Sequence, residues 1–139
     1  MRAQALAARL LRFGIVALSP TDPAALASTL ALVRPSDALL VFCEHGRRQD
    51  LVHLARDFRA ARGILVSVTR HSANPLRAQA DAALVVSAHD ERPEREPLLY
   101  QSALQQLLDL LLLVLCERHP ARLQHYLTHL ESTQQVQDA

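Results

Sequence analysis

The chain has 139 residues, half of them apolar and 21% charged, with a formal net charge of +1. That length and apolar share specify one packed domain with a sizeable core and exclude an intrinsically disordered chain. All fifteen basic residues are arginine, but they form no basic block of the kind that marks a nucleic-acid surface. The two cysteines, Cys43 and Cys116, follow no metal spacing. A reduced, cytoplasmic setting fits them, and no cofactor or metal is expected.

In chain order, residues 3–12 place Ala3, Leu6, Ala7, Leu10 and Leu11 at helical spacing, with Gly14 suited to the position past a helix end. The start is arginine-rich and free of acids, yet it lacks an apolar core followed by a small-residue cleavage site, so it is not read as secretory. Ile15 to Leu18 reads as a short buried strand. In SPTDP, Thr21 or Asp22 can cap a helix that has Pro23 in its first turn and runs to about Leu32. Its inward residues are expected to be Leu26, Leu30 and Val33.

Pro35-Ser36-Asp37 turns the chain into a second strand, Ala38 to Phe42. Gly46 is expected to open a helix with Leu51, Leu54, Ala55 and Phe58 on one face, and Gly63 to end it. Strands follow at 64–68 and 82–86, separated by the short segment 75–80. Residues 87–97 mix acids with two arginines and two prolines, an exposed loop. Helices at 98–117 and 120–131 complete the domain, taken as residues 1–131. Residues 132–139 are expected to form a polar, fraying tail.

The run Leu107 to Cys116 contains Asp109 and is too short to cross a bilayer, so no membrane contact is expected. Apolar strands alternating with helices indicate an α/β fold, a mostly parallel, doubly wound sheet in three layers. Such sheets bind ligands beyond the carboxyl ends of their strands. The segment VFCEHGRRQD, residues 41–50, reaches that end and turns from apolar to densely polar.

The pieces, in this order, resemble the sugar isomerase (SIS) domain, and specifically the effector domain of RpiR-type bacterial transcription regulators. Four stretches carry the resemblance: LLRFGI at 10–15, SDALLVF at 36–42, VTRHSANPLRAQADAALVV at 68–86 and SALQQLLDLLLLVL at 102–115. The third is the most specific, with Thr69 at a strand end, the Pro75-Leu76 pair, and Ala80-Asp81 leading into the next strand. The fourth resembles a long helix with an inward aspartate, here Asp109. The resemblance implies a phosphosugar-sensing, dimerising effector domain that acts on transcription. A sugar-phosphate isomerase and a ligand-free dimerisation module stand as alternatives.

The sequence departs from the family at its ligand loop. The family holds phosphate with Ser-x-Ser-Gly-x-Thr, and the matching positions here include Cys43, His45, Gly46 and Arg48, so only the glycine remains. The family's first strand, its Gly-x-Gly-x-Ser turn and the helix-turn-helix domain that binds DNA are not matched. Met1 stands where the family has an internal residue, and a longer reading frame upstream is the expectation. The unmatched strand sits between those matching 15–18 and 38–42 in the family. Those two are therefore expected to pair directly or to leave a gap that another chain fills.

As an anion cradle, residues 43–48 would offer helix-opening amides, with Arg47 and Arg48 replacing the lost hydroxyls. The plain alternative is two solvated arginines at a helix end that does not favour them. A Cys43–His45 nucleophile is the sharper alternative, although no third group is placed to orient the histidine. His71 and one of Glu91, Glu94 and Glu96 are candidates to approach the same place. His125 and His129 lie four apart on the last helix, a spacing that can hold a metal but completes no ligand set. Asp81 reads as a turn residue. The leucines of 98–117 surround their helix on all sides, which points to a homodimer through that helix.

Overall fold

The computed structural model describes residues 2–20 and 22–138 of the chain. Among the described residues six helices and three strands follow one another: α1 (Arg2–Arg12), α2 (Pro23–Ala31), β1 (Ala38–Phe42), α3 (Gln49–Ala60), β2 (Ile64–Arg70), α4 (Pro75–Gln79), β3 (Ala82–Val86), α5 (Glu96–Arg118) and α6 (Pro120–Asp138). They form two compact units. Pro20–Leu104 make one, and the residues through Ser19 together with those from Gln105 onward make the other.

The first unit holds the sheet, which is wholly parallel in the order β1-β2-β3. Ala38 faces Ile64 and Phe42 faces Val68 across β1 and β2, while Val66 faces Ala82 and Arg70 faces Val86 across β2 and β3. Two further bonds prolong the first ladder past Phe42: Cys43 N–H donates to the Val68 carbonyl, and Arg70 N–H donates to that of Glu44. Period-two alternation sends Leu39, Val41, Cys43 and Leu65 to one face. There they pack with Val52 and Ala55 of α3 and Leu76 of α4, forming a continuous apolar core.

Each helix end has a local cause. Asp22 caps α2 by accepting from Ala25 N–H at 2.8 Å, and Asn74 caps α4 by accepting from Arg77 N–H. At the end of α1, Gly14 has φ +75°, with Gly14 N–H bonded to Leu11 O and Ile15 N–H to Leu10 O. This is a Schellman motif. The same paired bonds end α3, Arg62 N–H to Arg59 O and Gly63 N–H to Phe58 O.

Several expectations are corrected. Gly63 is not where α3 ends: the helix stops at Ala60, and Arg62 takes the left-handed conformation after it, at φ +67°. Gly63 is required by proximity instead, because a Cβ there would stand 2.1 Å from the Phe58 ring. The inward face of α3 is Val52, Ala55 and Phe58, with Leu51 and Leu54 half-buried. The helix opens at Gln49 rather than at Gly46. No residue of α2 is fully buried.

Residues 15–18, expected as a strand that pairs with 38–42 or leaves a gap for another chain, are irregular and join no ladder among the described residues. The amide of Ile15 is engaged in closing α1, and Val16 and Leu18 are 79% and 72% exposed. A strand cannot persist without a partner for its backbone. Residues 132–138, expected to fray, continue α6.

In the second unit, Arg9 of α1 pairs with Asp109 of α5, which also accepts from Gln105. The side chains of His125 and His129 lie outside the described set. Along α5 the buried residues Tyr100, Leu104, Leu108, Leu112 and Cys116 recur every four positions. Leu98, Leu99, Leu110, Leu113 and Val114 are exposed. The whole of α5, 23 residues, is long and apolar enough to cross a membrane, unlike the ten-residue run judged alone. Core helices meet the same requirement.

Candidate functional site

Beyond the carboxyl ends of the strands, a cleft of about 440 Å³ is lined by Glu44, His45, Arg70, His71, Ser72, Pro93, Glu96 and Pro97. Parallel strands place their last residues at one edge, so residues from three connections meet there. Arg70, the last residue of β2, is the centre of the arrangement. Its Nε and Nη2 donate to Glu44 Oε1, and its Nη1 donates to Glu96 Oε1 at 2.8 Å and to the Ala88 carbonyl at 3.2 Å. The Tyr100 ring lies 4.8 Å from the guanidinium carbon, a cation–π distance. One guanidinium thus ties the ends of all three strands to the start of α5.

Arg70 is only 14% exposed. Burial by itself would lower its pKa, but the hydrogen bonds and charges of Glu44 and Glu96 outweigh that, and the group is held above the usual arginine value. A half-buried arginine facing two carboxylates is a fixed charge, and it orients both.

The expected site residues occupy the connection between β1 and α3. Cys43 is buried in the apolar core, whereas His45 is exposed, its Nε2 lying 3.9 Å from Glu44 Oε1. Among the described residues no hydrogen bond joins Cys43 to His45, so the geometry assembles no thiol–imidazole pair. Gly46 is buried in a turn at φ +64°, closed by its N–H donating to the Cys43 carbonyl. A Cβ at this position would fall 1.9 Å from Asn74 Oδ1. The glycine is therefore required by packing, whatever binds nearby.

Asn74 explains that constraint. It is 7% exposed, caps α4, and donates through Nδ2 to Thr69 Oγ1 and the Ser72 carbonyl. Asn74, Thr69 and Gly46 lock the loops after β1 and β2 together.

Arg47 is exposed and reaches the Ala73 carbonyl at 3.4 Å. Arg48 is the N-cap of α3, without a side-chain capping bond of its own. It forms a two-point pair with Asp50, Nε to Oδ1 at 3.2 Å and Nη2 to Oδ2 at 2.6 Å. Both side chains are more than 60% exposed. Asp50 is held below the usual aspartate range, first by its bond to Arg48 and also by the amides of Leu51 and Asp50. A carboxylate of the chain itself therefore stands at the helix opening where an anion was expected.

The remaining candidates separate cleanly. His71 lines the cleft, and of the three glutamates only Glu96 does. Asp81 is more than a turn residue. Its Oδ2 accepts from Leu65 N–H at 2.8 Å and its Oδ1 lies 3.2 Å from Arg59. Among the described residues no group of three His, Cys, Asp or Glu could hold a metal ion. Arg70 was missed, although a charge closing the apolar strand ILVSVTR was a visible signal. Asn74 was also missed, although Asn before Pro is a helix-start signature.

A parallel α/β domain with a polar cleft at the carboxyl edge of its sheet defines a ligand-binding class of fold. The SIS domain family model matches residues 2–115, and the chain belongs to that family. Similar solved structures include the Vibrio vulnificus NanR protein complexed with ManNAc-6P, 21% identical with a TM-score of 0.80. That match covers 94% of this chain and 50% of the other, so the chain spans about half the length of that protein. The sugar isomerase domain of an RpiR transcription factor from Sphaerobacter thermophilus is 23% identical, with a TM-score of 0.72 over 94% of this chain and 71% of that one. A third structure, of a hypothetical protein, is 21% identical, with a TM-score of 0.64 over 84% and 63%. At these identities the likeness establishes the fold. No curated protein sequence matches the chain.

Proposed function

We propose that this SIS domain is the ligand-sensing and dimerising effector module of an RpiR-type transcriptional regulator, and that it recognises a phosphorylated sugar or a related anion. The observation that carries the reading is the cleft at the carboxyl edge of the sheet, bordered by the loop that holds the expected site. The NanR structure, a complex with ManNAc-6P, supports the ligand class.

In this reading residues 43–48 form the anion side. Cys43 anchors the loop in the core, Gly46 turns it, His45 faces the cleft, and Arg47 and Arg48 supply charge. Residues 1–131 act as one functional domain in the cytoplasm, with 132–139 as an appendage. The exposed leucines of α5 join two copies. DNA is reached only through a separate helix-turn-helix domain. The ligand-free alternative has one observation in its favour, the Asp50 carboxylate already paired with Arg48. No catalytic role is assigned.

Calorimetric titration with ManNAc-6P and other sugar phosphates tests the reading. Wild type should bind at least one, without turnover. Replacing Arg47 and Arg48 by alanine should weaken binding by about tenfold or more, and Cys43→Ala should leave it nearly intact. A wild type that binds no sugar phosphate, or a double-arginine variant that binds equally well, would refute the reading.

A further inference from the structure

Four of the five N–H donors of Arg70 are already engaged. Nε, Nη1 and Nη2 all donate to Glu44, Glu96 or the Ala88 carbonyl, and Tyr100 lies against the guanidinium. A phosphate approaching this guanidinium would meet the two carboxylates paired with it, and each would repel it. Both glutamates bind Arg70 through Oε1, so each keeps Oε2 without a hydrogen-bond partner among the described residues. Both side chains are about one-third exposed, and both line the cleft. An ionised carboxylate oxygen only accepts hydrogen bonds. This wall of the cleft therefore presents two fixed acceptors and a net negative charge.

We propose that this wall reads the donor-rich end of the ligand, its sugar hydroxyls or amine, through Glu44 and Glu96, with Arg70 as a positioning residue. The phosphate end is excluded from it. The inference rests on the proposed sugar-phosphate reading and adds an orientation to it, phosphate towards Arg47 and Arg48 and hydroxyls towards Glu44 and Glu96. A shared Oε1–guanidinium tie fixes the two free oxygens relative to each other, as recognition of neighbouring hydroxyls requires. His45 and His71 stand on the same cleft.

The test separates the sugar contribution from the phosphate contribution. The full chain is titrated with inorganic phosphate, glucose, glucose 6-phosphate and glucosamine 6-phosphate. Wild type should bind glucose 6-phosphate at least about tenfold more tightly than inorganic phosphate. Glu44→Gln and Glu96→Gln keep shape but replace an acceptor by a donor, and each should collapse that ratio without weakening the binding of inorganic phosphate. Arg70→Lys should retain part of the ratio and Arg70→Met should lose it, a split between the two ligands that general destabilisation would not produce.

If glucosamine 6-phosphate binds more tightly than glucose 6-phosphate, the donor read is an ammonium; equal binding identifies hydroxyls. Glucose bound as tightly as glucose 6-phosphate, and lost in the Glu variants, would sustain this inference while defeating the phosphate reading. A ratio unchanged in both Glu variants overturns the inference and leaves the phosphate reading standing. Failure of wild type to bind either glucose or glucose 6-phosphate overturns it as well.

Discussion

Gly46 shows how one residue type can serve two purposes that only coordinates separate. Its φ of +64° and the 1.9 Å approach of Asn74 both require the absence of a side chain. Gly46→Ala should cost about 1–2 kcal/mol from the left-handed backbone alone, and more from displacing the buried Asn74. Chemical denaturation should show a lowered midpoint with unchanged slope; wild-type stability would refute the packing role. Asp50 is the second informative residue. Its carboxylate accepts from both Arg48 nitrogens that an anion would use. Asp50→Asn should tighten inorganic phosphate binding by a few-fold, measured by calorimetry at low salt. Weakened binding would show that Asp50 supports the cradle rather than filling it.

At the scale of the element, the ends of helices and strands decide what is presented. β1 delivers Cys43 to the core and Glu44 to the cleft because alternate residues of a strand face opposite sides. α5 sets Tyr100 against Arg70 in its first turns and holds Asp109 beside Arg9 further on. The Asp109 carboxyl is held below its ordinary value by its bonds to Arg9 and Gln105. A depressed folded-state pKa contributes stability above the ordinary aspartate value and loses it as pH falls through the depressed one. Asp109→Asn should therefore flatten the acid limb of the stability–pH curve and change little at neutral pH, since the pair is solvent-exposed. An acid limb identical to wild type would remove this pair from the account.

For the whole molecule, the decisive feature is apolar surface that the chain itself leaves open. Leu110 and Leu113 of α5 are 51% and 60% exposed, three residues apart on one face. A two-fold partner is the economical cover. Leu110→Glu with Leu113→Glu should halve the mass seen by light scattering at micromolar concentration while circular dichroism stays helical. A wild type that is already monomeric refutes the interface.

Periodicity and punctuation in the sequence determined β1, β3 and the long α5 closely, because apolar runs, an Asp cap and Pro-initiated turns act over a few residues. The edge of the sheet that bears the site was legible for the same reason: parallel strands all end there. The sequence could not decide residues 15–18, whose apolar run meets the local pattern of a strand, since a strand exists only if another chain segment supplies its hydrogen bonds. Nor could it decide the chemistry of the cleft. Glu44, Arg70 and Glu96 lie 26 residues apart in succession, and only the register of β1 against β2 and the docking of the start of α5 bring them to one guanidinium. Local pattern specifies elements; the tertiary fold selects which charges meet, because long-range pairing leaves no periodic trace in the chain.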